Sequence, residues 1–371
     1  MLDRINLRTK PELDTLRFIS IFLVVLHHQF LTDNSFFVWT KNYAWIGVDI
    51  FFVLSGYIIS SALLVEFNKN KKIDLKKFWI KRAFRLWPNL YFTLLISTPV
   101  LWYFGKNNPQ IMESLKNLYW HYFIHVGNYS HAIHGKLHTL TSHFWSLSVE
   151  EHFYFLWPIT LMILMRSKKV LYIGIALLFL LPLAFRIYHA ANGASYEFIK
   201  LSSHTRFDEI IFGCLIAFLP NPKKPMSRVF DTFLWIACIC LFYIGTTVLD
   251  DRTTAYPLAA FNFTILSLAS GLLIYLAEFG HPKGWRVFLK NNFLSKIGIL
   301  SYNIYLIHFL VIIVFYGLNE KIFHIKNDLI NSTLVFTASV VFSYWMYILI
   351  DLKVHKYREQ FLDKKDKVSL N

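Results

Sequence analysis

The chain has 371 residues, 55% of them hydrophobic and 18% aromatic, but only 16% charged, where soluble domains carry about a quarter. That is too little charge for a wetted surface, and it excludes an ordinary soluble fold. The formal charge of +15 comes without a basic face on a folded domain, so nucleic acid is not an expected partner; anionic lipid headgroups or a phosphorylated cofactor are.

The apolar residues fall in blocks of roughly twenty, the length that crosses a bilayer as a helix. In chain order the predicted spans lie near 17–32, 47–65, 89–104, 148–165, 170–187, 207–219, 229–249, 258–277, 297–317 and 329–350. The first and sixth are short and interrupted by polar residues. The charged stretch from Met1 to Arg17 is long and no small-residue cleavage site follows the first apolar run, so that run reads as a retained helix rather than a secretory signal. Alternating the spans puts 28 of the 38 Lys and Arg residues on the side of the N-terminus and 10 on the other. That asymmetry places both termini in the cytoplasm. The expected fold is therefore all-α, a polytopic transmembrane bundle of about ten spans. Residues 1–351 form one membrane domain, and 352–371 form a basic cytoplasmic tail lying along the anionic leaflet. Cys214, Cys238 and Cys240 sit inside apolar runs without C-x-x-C spacing, so neither a disulfide nor a zinc site is expected. No internal repeat is visible, which disfavours a transporter built from inverted halves.

Ionisable groups within spans are costly and mark function. In the first span Arg17 and His28 are eleven residues apart, about three helical turns, so they share a face, with Arg17 at the cytoplasmic mouth and His28 inside the bilayer. His28 has the near-neutral titration of a general base. His27 points about 100° away and reads as a hydrogen-bonding partner for a neighbouring helix. Asp49 opens the second span within G-V-D-I-F-F-V-L-S-G-Y; it either orients His28 as a carboxylate partner or caps its own helix. Ser55 and Gly56 read as helix-packing residues. Arg82 and Arg85, three apart before Pro88, share a helical face and can clamp phosphate, or can serve only as positive-inside anchors.

Between the third and fourth spans lie His121, His125, His131, His134, His138 and His143; two i,i+4 pairs occur, but no third ligand is compelling, and no metal is expected. The segment H-F-W-S-L-S-V-E-E-H-F-Y-F-L-W-P, residues 143–158, sets carboxylates among aromatics, a surface suited to sugar rings or an ordinary interfacial belt. Glu150 is assigned to catalysis; Trp145, Ser148, Glu151 and Tyr154 are assigned to the acceptor. Further on, T-R-F-D-E contributes Arg206 and Asp208 to the same acceptor region, and S-Y-N-I-Y-L-I-H brings His308 toward mid-membrane.

Taken in order, these elements resemble the membrane-bound acyltransferase 3 family, which includes bacterial O-acetyltransferases of surface polysaccharides. The resemblance runs from Leu16 to about residue 351. It rests on R-x10-H at Arg17 and His28, the F-F-x-L-S-G element, R-x-x-R at Arg82 and Arg85, W-S-L-S-V-E-E-H-F-Y-F-L-W-P and S-Y-N-I-Y-L-I-H. Two departures stand out: His152 where Gln is commoner, and Asp351-Leu352-Lys353 where Glu, a basic residue and Pro are frequent. The resemblance implies His28 as the catalytic residue and Arg17, Arg82 and Arg85 as contacts for acyl-CoA, in the simplest case acetyl-CoA. It implies an O-acyltransferase of the bacterial inner (cytoplasmic) membrane, surrounded by membrane lipids and acting on a cell-envelope glycan or lipid-linked saccharide. The rival expectation is a proton- or substrate-coupled transporter that uses the same ionisable residues and consumes no thioester.

Overall fold

The computed structural model describes residues 10–29, 35–117, 119–134, 141–220, 222, 224, 226–248 and 256–368. Among them all regular structure is helical. The principal helices are α1 (Pro11–His28), α2 (Ile46–Asn70), α3 (Leu75–Gly105), α4 (Trp145–Leu164), α5 (Lys168–Ala191), α6 (Phe207–Phe218), α7 (Arg228–Tyr243), α8 (Tyr256–Phe279), α9 (Ser301–Leu318), α10 (Asp328–Met346) and α11 (Leu352–Val368).

Among the described residues six helical stretches are long and apolar enough to cross a membrane: Thr40–Asn70, Lys168–Ala191, Arg228–Thr247, Ala260–Phe279, Ser301–Phe323 and Asp328–Leu362. The chain is thus a multi-pass membrane protein. The other four predicted spans are helices too, but α1, α3, α4 and α6 fall short by length or polarity. For α1 the reason is its place in the bundle. Leu16, Ile21, Val24 and Val25 of α1 are almost wholly shielded by protein, whereas only 22% of the apolar window is buried in each of Lys168–Ala191 and Arg228–Thr247. A helix enclosed by other helices does not need a lipid-compatible surface; a peripheral one does.

Local chemistry sets the helix ends. Asp74, Ser167, Ser227 and Asn327 each cap the helix that follows through the side-chain oxygen. Helix α3 begins well before the predicted span at 89 and runs through Pro88 and Pro99, so Arg82 and Arg85 sit on an N-terminal extension of that helix. At the other end of the chain, α10 continues through a π-helical turn, Tyr347–Asp351, into α11. Asp351 in that turn accepts from Asn303 at 2.9 Å and from Asn89, and Asn89 also donates to Asn303 at 2.9 Å. This polar triad joins α3, α9 and the turn. Phe361 meets Phe84 with ring centroids 6.0 Å apart and Leu362 is buried, so α11 docks on α3.

Gly56 is a packing residue, as its motif suggests. A Cβ built on it would lie 1.8 Å from the Ile210 carbonyl oxygen, and one on Gly213 would lie 2.0 Å from that of Val53. Helices α2 and α6 therefore touch backbone to backbone, which only hydrogen side chains permit. Gly56→Ala is expected to force the pair apart, costing about 1–3 kcal/mol or more. A melting curve in detergent would check it; an unchanged midpoint would contradict the close approach.

Candidate functional site

The end of α1 places His28 beside His308 of α9 and His143 of the turn before α4. The His28 Nδ1 lies 2.9 Å from the Val24 carbonyl oxygen. A carbonyl only accepts, so Nδ1 carries the proton and Nε2 keeps its lone pair. By the same reasoning His308 donates from Nδ1 to Tyr305 O at 2.7 Å, and its Nε2 accepts, 3.3 Å from His28 Nδ1. His143 donates from Nε2 to Tyr305 O at 3.0 Å. The Tyr305 hydroxyl donates to the His143 carbonyl and lies 2.7 Å from Ser146 Oγ. Ring centroids separate by 5.1 Å for His28–His308, 4.7 Å for His143–His308 and 6.0 Å for His28–His143. These are imidazoles whose protons are committed to backbone carbonyls, an arrangement that fixes one tautomer for His28 and leaves one nitrogen ready to take a proton.

His28 lines a cavity, the outer one on the topology expected from the sequence, together with His27, Trp45, Val48, His143, Trp145, Lys200, Arg206 and Tyr305. A second, narrow cavity is lined by Arg17, Arg82 and Arg85 with Ser55, Glu150, Tyr154, Tyr302 and Tyr305. Val48 and Tyr305 line both, so the two spaces abut across those side chains. Within the narrow cavity Ser55 donates to Glu150 at 2.7 Å, Tyr154 donates to its other oxygen at 3.0 Å, and the two hydroxyls are 2.9 Å apart. The Arg82 guanidinium lies 5.4 Å from the centre of the Tyr154 ring, within cation–π range. Arg17 pairs with Asp14 one turn earlier. The arrangement offers guanidinium groups for an anion at one end and an unprotonated imidazole nitrogen at the other.

Several residues assigned from sequence take other places. Asp49 gives its carboxylate to Arg206 at 2.6 Å rather than to His28. Arg206 is buried, forks onto Glu209 at 2.9 and 3.1 Å, donates to Lys200 O at 2.9 Å, and lies 3.9 Å from the Phe263 ring centre. Asp208 points away from both cavities: its two oxygens take the fork of buried Arg186 at 2.9 and 2.6 Å. His308 is wholly buried and lies behind His28, not at the outer cavity's wall. Glu150 and Tyr154 sit in the cavity with the arginines, not in the one that His28 lines. Ser148 is buried and Glu151 half-buried, and neither lines these cavities. Trp145 and Arg206 do line the outer cavity.

Sequence reasoning overlooked His143, Tyr305, Trp45 and Lys200, and it left His27 and Ser55 to packing although both line a cavity. A signal was present for Tyr305, which precedes His308 by three residues and so shares its helical face. Nothing local distinguishes His143 from its loop neighbours. Of these, His125 stacks on Trp87 with centroids 5.5 Å apart and His121 meets Ser130 at 3.4 Å; His138 lies outside the described residues. Among the described residues no group of three or more His, Cys, Asp or Glu side chains has the geometry to hold a metal.

Comparison with known proteins adds a family. Residues 10–348 match the model of the acyltransferase 3 family, described as an acyltransferase domain. The chain is 29% identical over 327 residues to the peptidoglycan O-acetyltransferase OatA of Listeria monocytogenes, covering 81% of this chain and 49% of that protein. It is 29% identical over 331 residues to the O-acetyltransferase OatA of Staphylococcus aureus, covering 82% and 51%. The chain thus spans about half the length of these curated relatives. No solved structure matches.

The position of Asp49 generates a test. Removing one partner of a buried ion pair costs about 3–5 kcal/mol, so Asp49→Asn is expected to lower the melting temperature strongly. A carboxylate serving only to orient His28 would instead leave the midpoint unchanged while turnover fell. Melting curves of the two forms in detergent separate these outcomes.

Proposed function

We propose, from the premise that this chain belongs to the acyltransferase 3 family, that it is a membrane O-acyltransferase. It moves an acyl group, acetyl in the simplest case, from cytoplasmic acyl-CoA to a hydroxyl of a cell-envelope glycan or lipid-linked saccharide. The observation that carries this reading is the abutment of the arginine-lined and His28-lined cavities across Val48 and Tyr305. A phosphorylated donor suits the first, since guanidinium groups bind phosphate through paired hydrogen bonds. A sugar hydroxyl suits the second, where Trp145 and Trp45 supply aromatic faces beside the imidazole. The named relatives act as O-acetyltransferases, one of them on peptidoglycan.

In this mechanism the pantetheine arm passes the arginines and brings the thioester carbonyl to Tyr305. His28 Nε2 takes the proton of the acceptor hydroxyl as the oxygen attacks the carbonyl carbon. The tetrahedral intermediate collapses, the C–S bond breaks, and the proton passes from His28 to the departing thiolate. The products are the O-acyl ester and free CoA thiol. His308 and the Val24 carbonyl act on His28 by holding the Nδ1 proton, so that Nε2 alone reacts. In the two-step variant the acyl group rests first on His28 Nε2 and then passes to the acceptor.

The same reading places the protein in the bacterial cytoplasmic membrane with about ten spans and both termini in the cytoplasm, in line with its basic-residue asymmetry. That topology sets Arg17, Arg82 and Arg85 on the side where acyl-CoA is made, and His28 toward the envelope.

Purified protein given acetyl-CoA and a crude glycan extract is expected to release free thiol. His28→Ala should abolish this, with a loss of at least about 10³-fold, and Arg85→Ala should raise KM. Normal turnover by a well-folded His28→Ala protein would overturn the mechanism. Failure of the wild type to consume any acyl-CoA offered would favour a transporter.

A further inference from the structure

A wider cavity, about 520 Å³, opens beside the narrow one and shares Arg82 and Arg85 with it. Three segments contribute bases to its wall: Lys69 and Lys72 around the end of α2, Lys77 and Lys81 from the first turns of α3, and Arg358 from α11. The acids on the wall are Glu66 and Asp74, and both are occupied by backbone. Glu66 accepts from the Asp74 N–H at 2.9 Å, and Asp74 accepts from the Lys77 N–H at 2.9 Å as the cap of α3. They build the turn and leave the wall net positive. Arg358 is positioned from its own helix, with Nη2 2.7 Å from His355 Nε2 and 2.6 Å from Glu359. It lies beyond residue 348, where the family match ends.

Lysines at helix ends also attract anionic headgroups, but a headgroup belt lies on the bundle's perimeter. Here the bases line a concavity whose inner wall is the arginine pair. An occupant of that concavity reaches Arg82 and Arg85 on the path toward His28. The end of acyl-CoA remote from its thioester carries a diphosphate and a 3′-phosphate, together about four negative charges at neutral pH. Compact ammonium groups on flexible stems suit phosphates held in more than one orientation.

We propose that this basin seats the phosphorylated nucleotide end of the acyl-CoA donor, and that Lys69, Lys72, Lys77, Lys81 and Arg358 make the enzyme select a donor carrying its nucleotide over pantetheine alone. The inference rests on the acyl-CoA reading above. It gives α11 a role: docking on α3 through Phe361 and Phe84 brings Arg358 to the basin.

The test compares kcat/KM for acetyl-CoA, 3′-dephospho-acetyl-CoA and acetyl-pantetheine, using the full chain in nanodiscs of neutral lipid. The wild type is expected to prefer acetyl-CoA over acetyl-pantetheine by about 100-fold or more. In the combined Lys69→Gln, Lys72→Gln, Lys77→Gln and Lys81→Gln protein that ratio should fall at least about tenfold, through KM, and in Arg358→Gln by about threefold. Arg358→Lys should retain most of it. General damage to the fold lowers both numerator and denominator and leaves the ratio in place. An unchanged ratio in the lysine variant overturns the assignment. So does an effect that appears only when anionic lipid is added, since headgroups then fill the basin. A wild type that consumes acetyl-CoA without discriminating overturns the basin alone. One that neither binds nor consumes acetyl-CoA overturns the donor reading and the basin with it.

Discussion

Charge in a low-dielectric interior must be matched, and the arrangement of this bundle turns on how Arg206 is matched. Its guanidinium meets Asp49 of α2 and Glu209 of α6, and lies 5.6 Å from the ring of Phe52, 5.4 Å from Trp145 and 3.9 Å from Phe263. Those side chains come from α2, α4, α6 and α8, so one cation joins four helices near the outer cavity. The glycine contact between α2 and α6 is what permits this closeness, because Val53 and Ile210 present backbone where side chains would otherwise intervene. Asp49 thereby belongs to the frame of the site. The orientation of His28 is left to neutral partners.

Setting a histidine by backbone carbonyls instead of by a carboxylate has a chemical consequence. A buried carboxylate stabilises the imidazolium and favours keeping the proton. The Val24 carbonyl and the His308 acceptor nitrogen define the tautomer with less bias toward the charged form. On the proposed mechanism, that suits a base which must hand its proton on to a leaving thiolate. Tyr305 stands at the divide between the two cavities and carries four separate contacts, through its hydroxyl to His143 and Ser146 and through its carbonyl to His308 and His143. Any shift of α9 therefore moves the wall between the cavities together with the partner of His28.

Hydropathy is a poor guide to which of these helices build the site: α2 and α9 score as spans and line both cavities through Val48 and Tyr305. The peripheral stretches Lys168–Ala191 and Arg228–Thr247 score as spans, while α1, α3 and α4, which carry Arg17, His28, Arg82, Arg85 and Glu150, do not. The site needs polar side chains, and only the helix faces turned toward protein are released from the requirement to be apolar; α3 and α4 still expose Leu95, Phe155 and Ile163. Gly56 and the helical face shared by Arg82 and Arg85 were legible because each depends on a short stretch of chain. The partners of Asp49 and Asp208 were not. Arg206 lies 157 residues beyond Asp49 in sequence, and either of the buried arginines Arg186 and Arg206 could have met either carboxylate.

The sequence by itself determined that the chain is a helical membrane protein, where its helices run, and which polar residues are too costly in such segments to lack a purpose. Its ordered motifs also carried the family resemblance. These properties depend on length, composition and helical period, which are local. Tertiary structure alone decided that His308 stands behind His28, that His143 joins them, that Glu150 shares a cavity with the arginines, and that Arg358 of the last helix lines a cavity with Arg82 and Arg85. Each of those is a choice of partner. A buried polar group must find one, but helical periodicity fixes only the face from which it reaches, and the packing of distant helices decides what it meets.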